Sequence, residues 1–374
     1  MLQWAVDRAG MPVTEVRDRF PDFDNWLAGT TLPTLKQLEK FAGATYAAIG
    51  FFFGNEPPDE PLPIPDYRTV GSRGVVRPSP DLLDTIYLCQ QRQEWFREFM
   101  LTTGDPRPGF VGSLTRQTQP ELAADRIRKV LHFEVGDRLQ TSRIDEALRQ
   151  LIALVEDLGV LVMVSGVVAS NNNRKLNVEE FRGFTLTDAL APVIFVNGAD
   201  SKSAQMFTLA HELAHLWLGE SALTDATLRP MGSSKTERWC NEVAAEVLVP
   251  LHLIRQSYSL TGGLEAEVSR LAREFKVSTL VILRRLLDAD LVSNVDFQRA
   301  YDSEVQRLSE FEKPDSGGGN FYNTTLARVG KRFARAIIGN TLEGRGSFTE
   351  AMHLLGFKKL SVFDELGHRV GVIT

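Results

Sequence analysis

Cysteine is nearly missing from this sequence: Cys89 and Cys240 are the two in 374 residues. Two lone thiols make neither a disulfide framework nor a cysteine metal knuckle, so they read as buried thiols of a reducing cytosol. Long apolar runs are missing as well. Val160–Val164 is typical of those present, far below the roughly 20 residues that a membrane-spanning helix needs. The opening Met1-Leu-Gln-Trp-Ala-Val-Asp-Arg has no basic stretch before an apolar one, so no secretory leader is expected. Nor is there a basic excess: 42 Lys and Arg stand against 48 Asp and Glu, a net charge of −6. That balance argues against a general affinity for nucleic acid or for anionic membrane. The expectation is a cytoplasmic protein without a membrane partner. Length and composition are those of a globular chain too long for one core, so two or three domains are expected.

Histidine is scarce too, at six residues, which makes the placement of two of them informative. They fall four apart in Phe207-Thr-Leu-Ala-His211-Glu212-Leu-Ala-His215-Leu-Trp-Leu-Gly219. No proline or glycine interrupts this stretch before Gly219, which suits a left-handed helix cap. On a helix, His211 and His215 project from one face, and two neutral imidazoles so placed can share a tetrahedral Zn²⁺. Glu212 follows the first of them, placed to act as general base on water without ligating. This is the H-E-x-x-H arrangement of zinc peptidases. Leu209, Leu213 and Leu216 form an apolar stripe, and Phe207, Ala210, Ala214 and Leu218 flank the histidines, so the helix is expected to be buried. Buried imidazoles and a buried carboxylate need partners, and a metal satisfies them.

A catalytic site needs one more protein ligand and an open fourth position. No third histidine follows at short spacing; the next, His252, stands just past Val249-Pro250. A carboxylate is therefore expected from the stretch Thr236-Glu237-Arg-Trp-Cys-Asn241-Glu242-Val-Ala-Ala-Glu246-Val-Leu-Val-Pro250. On a helix Glu237, Asn241, Ala244, Ala245 and Leu248 share one face, whose alanines allow close approach to Ala210 and Ala214. Glu237 is the favoured ligand, with Asn241 as its hydrogen-bonding neighbour. Glu242 is the alternative, and Glu246 lies one turn beyond.

Together these motifs resemble the ImmA/IrrE family of bacterial metallopeptidases. Phe181-Arg-Gly-Phe-Thr and Pro192-Val-Ile-Phe-Val-Asn197 also resemble strands of that family, and the likeness runs over residues 120–260. It implies a thermolysin-like active-site core, zinc on His211, His215 and Glu237, and Glu212 as base. Known members of the family cut helix-turn-helix repressors.

Before this core, residues 1–54 read as short helices. Trp26 to Ala42 resembles the second half of an XRE-type helix-turn-helix domain, in which Gly29 ends one helix and Pro33 with Thr34 opens the next, with apolar Leu35, Leu38 and Phe41. The helix before Gly29 is where such a domain reads bases, yet it carries Pro21, Asp22, Asp24 and Asn25 and no cation. Phosphate contacts need basic groups, and Met1–Glu56 has more acids than bases. The domain is expected to serve protein contact, with weak DNA binding. The alternating prolines of Asn55–Asp66 favour an extended spacer, continued by Arg68–Pro80. Helices are expected over 80–102, 121–132 and 143–158, the last capped by Ser142, and strands over 160–164, 183–187 and 193–197. The 193–197 strand is expected at the sheet edge, where extended substrate would pair. Beyond Pro250 the pattern is helical: Leu264–Lys276, Thr279–Ala289, a hinge at Asp315–Asn320, then one apolar stripe (Leu326, Val329, Phe333, Ile337) beside a basic one (Arg328, Lys331, Arg332, Arg335). The basic stripe reads as a solvated helix face or as a dock for an acidic partner.

The fold class expected is α+β: a zincin-like core of small sheet and motif helix, flanked by all-α domains. The divisions are 1–54, the spacer 55–80, the peptidase 81–260 with its helical lead-in, and a helical 261–374. The function expected is a zinc endopeptidase that regulates by cleaving a partner or repressor. The alternative is an antitoxin-type binding protein, paired with a toxin such as a PIN-type ribonuclease, whose zinc fold serves for docking. For the oxyanion-stabilising group, sequence offers His252 and Tyr258.

Overall fold

A computed structural model describes residues 1–67, 77–136, 141, 143–224, 234–259, 262–311 and 320–373. Ser142 and most of the stretches Arg68–Pro80 and Asp315–Asn320 lie outside the described residues. The chain divides into two compact units, Met1–Pro63 with Arg73–Tyr87, and Ile64–Ser72 with Leu88–Thr374.

In the smaller unit, helices Leu2–Ala9, Val13–Arg19, Phe23–Leu27 and Leu35–Ala44 and a 3-10 turn at Ile49–Phe53 follow in order. Phe41 is fully buried, and the rings of Phe20, Phe23, Trp26 and Phe52 lie 5.3 to 6.3 Å from it. Gly29, at φ +71°, supplies the left-handed turn after the third helix. Thr34 opens the fourth with a capping box to Gln37. Leu35, expected on the apolar face, is instead 60% exposed: the capping position holds it on the first turn, away from the core. Arg8 grips Glu60 (Nη2–Oε1 2.7 Å) and the Tyr46 carbonyl, so the start of the proline-rich stretch belongs to this unit.

The larger unit is built on a four-stranded sheet: β1 (Leu161–Ser165), β2 (Gly183–Leu186), β3 (Val193–Asn197) and β4 (Ala222–Thr224) in the order β1-β3-β2-β4. β1 and β3 run parallel; β2 runs antiparallel to both β3 and β4. The strands are apolar on both sides because both faces are covered. Val162, Ile194 and Val196 join the core of the motif helix, Lys202–Leu218. Met163 meets Cys89 and Arg92 on the helix Pro80–Thr103. The expected edge position of 193–197 is wrong: β3 lies between β1 and β2. A fully apolar five-residue strand suits an interior place, and the edges fall to β1 and to the three-residue β4.

The motif helix is capped by Ser201 at its start and by Gly219, at φ +74°, at its end. Its last carbonyls are satisfied from outside: Gly112 N–H donates to Leu216 O (3.0 Å) and Leu114 N–H to Trp217 O (2.9 Å). The ligand helix, Lys235–Leu248, packs against it and begins at a Ser234 cap.

Helices continue through Leu264–Phe275, Thr279–Asp288 and Asn294–Phe311. The stripe read as one helix from Leu326 to Ile337 is broken in two, Phe321–Val329 and Lys331–Leu342. Between them Gly330 takes φ +82°, and a Cβ there would stand 2.8 Å from the Val162 carbonyl. Backbone approach to β1 therefore overrides the helical pattern. The new helix start is held by Glu156, whose Oε1 accepts from Arg332 N–H at 3.0 Å. Arg328 and Arg332 are thereby drawn inward: Arg328 donates to Asn172, and Arg332 lies over the Phe96 ring. Arg92, 4% exposed, donates to two helix-terminal carbonyls, Leu354 O (3.0 Å) and Arg328 O (3.1 Å). Phe348–Leu355 and Leu360–Arg369 complete the chain.

Candidate metal centre

Residues 205–217 of the motif helix are all buried. Helical spacing stacks His211 on His215, and their Nε2 atoms lie 3.2 Å apart. The ligand helix brings in Glu237, with Oε2 3.2 Å from His211 Nε2 and Oε1 3.0 Å from His215 Nε2. His211 and His215 are 0% and Glu237 is 3% exposed. Donors bonded to one metal at about 2.0–2.1 Å in a tetrahedron stand about 3.3–3.4 Å from each other. The three separations fall just short of that edge. Glu237 Oε1 is buried and faces His215 without the alignment of a hydrogen bond, which leaves its lone pairs for a cation. Two imidazoles and one carboxylate are the donor set that zinc accepts, and these residues fit it.

The electrostatics agree with that donor set. Burial by itself would raise the Glu237 carboxyl, but the two facing imidazoles bring it down to about 2. Burial lowers His211, and the Glu237 carboxylate outweighs it, so the ring is raised overall; the Asn241 amide beside it works in the same direction. The His215 ring has an aromatic neighbour instead. Tyr67 lies over it, with centroids 6.0 Å apart and planes 22° apart.

Glu212 is fully buried one residue from His211, and its oxygens are turned to the sheet. Oε2 accepts from Thr185 of β2 at 2.7 Å, and Oε1 accepts from Thr224 of β4. Burial raises its carboxyl, while the two histidines and the two hydroxyls pull it the other way. Gly183 makes room for it: a Cβ at that position would meet Thr208 at 2.6 Å and Glu212 Oε1 at 2.9 Å.

His211, His215, Glu237 and Asn241 are thus brought together as the spacing implies, with Glu212 adjacent. Glu242 is exposed on the opposite side of its helix, among Asp288, Arg284 and Arg238. Glu246 pairs with Arg285 and accepts from Leu251 N–H, a structural task. His252 is exposed, and Tyr258 lies by Glu267. Sequence reasoning missed Thr185, Thr224 and Tyr67. Thr185 stands inside a strand that periodicity predicts, but nothing in the sequence says that its hydroxyl meets Glu212 of the motif helix. A 670 Å³ cleft lined by Arg107, Arg126, Trp217 and Arg332 includes none of the centre's residues.

Residues 155–287 match the family model described as IrrE N-terminal-like domain, that of the peptidase M78, or ImmA/IrrE, metallopeptidases. Residues 329–369 match one described as a domain of unknown function, DUF8813. No curated protein matches the chain. Among the described residues, no helix is long and apolar enough to cross a membrane.

Proposed function

We propose that this chain is a zinc-dependent endopeptidase that regulates by cutting a partner or repressor protein. The observation that carries the reading is the near-tetrahedral spacing of His211, His215 and Glu237, with a buried carboxylate beside it. The likeness of residues 155–287 to a metallopeptidase domain supports it. When bound, zinc supplies Lewis-acid polarisation of water and of the scissile carbonyl.

The chain's own residues do the rest. His211 and His215 would hold the metal through Nε2 from one helix, and Glu237 closes the set from the next. Glu212 takes the proton of the attacking water on a carboxylate oxygen and passes it to the leaving amine. Two threonine hydroxyls fix that carboxylate, so it spends no reorganisation during the reaction.

Glu212→Gln tests the reading, since it keeps size and all three ligands. Zinc content by elemental analysis should stay near one per chain, and cleavage of partners, read by intact-mass comparison in cells, should fall about 10²–10⁴-fold. His215→Ala should empty the site. Full zinc in His215→Ala, or a regulatory phenotype untouched by Glu212→Gln with no partner shortened by the wild type, sinks the peptidase reading.

A further inference from the structure

The outer side of β4 is not free. Leu223 pairs inward with Phe184 of β2, and its outward groups are also engaged. Leu223 N–H donates to Pro65 O at 2.9 Å, and Tyr67 N–H donates to Leu223 O at 2.9 Å, a parallel bridge centred on Asp66. The chain's own proline-rich stretch thus makes a single parallel bridge to the sheet edge beside the metal centre. From there Tyr67 sets its ring on His215. The three ligand residues are no more than 3% exposed, and this stretch covers one of them from the sheet-edge side.

We propose that Ile64–Tyr67 is a built-in strap that occupies the peptide-docking edge of β4 and must leave before an extended substrate segment can pair there; this rests on the peptidase reading. An incoming strand competes for the same N–H and C=O of Leu223, because main-chain pairing is how a sheet edge takes a peptide. The hold is built to be reversible. Pro61, Pro63 and Pro65 have no N–H, so the ladder cannot lengthen toward the N-terminus. Only Ile64 is buried; Pro65 and Asp66 are exposed, and Tyr67 is half-buried. The two main-chain hydrogen bonds, the anchored Ile64 side chain and the ring contact are parts of a latch that a well-matched peptide competes with for the groups of Leu223.

The test uses the full chain and two variants. Tyr67→Pro removes the N–H and the ring, and Tyr67→Ala removes the ring alone. Amide hydrogen exchange at Leu223 should quicken about tenfold or more in Tyr67→Pro and less in Tyr67→Ala, with β1 and β3 unchanged. Loss of bound zinc to a chelator should quicken by a similar factor in both. Unchanged exchange and unchanged zinc loss overturn the strap. Peptide cleavage is read separately: faster cutting by the variants supports the strap, and slower cutting overturns it, since Tyr67 then serves the reaction. If neither wild type nor variants cut any peptide while exchange quickens as expected, the cover over the β4 edge stands, and the peptidase reading falls together with the cover's role in substrate entry.

Discussion

Glu212 has a carboxylate that two hydroxyls from different strands aim, Thr185 from one side and Thr224 from the other. A hydrogen bond to a charged group contributes about 1.5–3 kcal/mol. Thr185→Val or Thr224→Val should therefore slow cleavage about tenfold to a hundredfold while zinc content holds, measured as turnover beside elemental analysis. Full turnover in the double variant would show that the hydroxyls do not position the base. Gly183→Ala should act in the same direction by pushing on Glu212 Oε1. The histidines, Glu212 and Glu237 were legible because one helix period fixes where each side chain points. The threonines and Tyr67 were not, because strand register and a chain crossing put them there, and neither leaves a local pattern.

Most elements announced themselves by periodicity and caps, from the motif helix with its Gly219 to the three longer strands. β4 is three residues and carries too little pattern to be read. The break at Gly330 was hidden by an apolar stripe that continues on both sides of it, and its cause is a contact with the Val162 carbonyl far away in sequence. That break creates a helix start whose first amides rest on Glu156. Burial, opposed by the Arg332 and Lys331 amides, raises the Glu156 carboxyl to about 7. The folded state thus holds this proton more tightly than the unfolded chain does. The contribution is fully present below the ordinary carboxylate range and is lost as pH rises through about 7. Stability from urea unfolding should fall by on the order of 2–3 kcal/mol between pH 5 and 8 on this account, and Glu156→Gln should flatten that slope. Equal slopes in both proteins would remove Glu156 as its cause.

At the scale of the whole chain, the N-terminal unit is where the likeness to a DNA-binding domain and the charge disagree. Arg8 is paired with Glu60, Arg17 with Asp24 and Arg19 with Glu15, the helix before Gly29 is five residues with no cation, and the exposed Lys36 and Lys40 stand on the helix after it. Phosphate contacts need available cations, so footprinting of its own promoter by the full chain at physiological salt should show no sequence-specific binding tighter than micromolar. A nanomolar footprint would overturn the protein-contact reading of residues 1–54.

Arg92 has one more consequence, for what can be cut away. Burial brings its guanidinium down to about 10, and its acceptors are carbonyls at the C-terminal ends of two helices, Phe321–Val329 and Phe348–Leu355. Those helix ends, with their partial negative charge, stand in for a carboxylate. A chain stopped at 287, where the metallopeptidase likeness ends, would strand a buried cation and bare the face of β1 that Gly330 covers. The transplantable piece of this protein is therefore longer than the stretch that matches the metallopeptidase model, and takes in the separately matched residues 329–369.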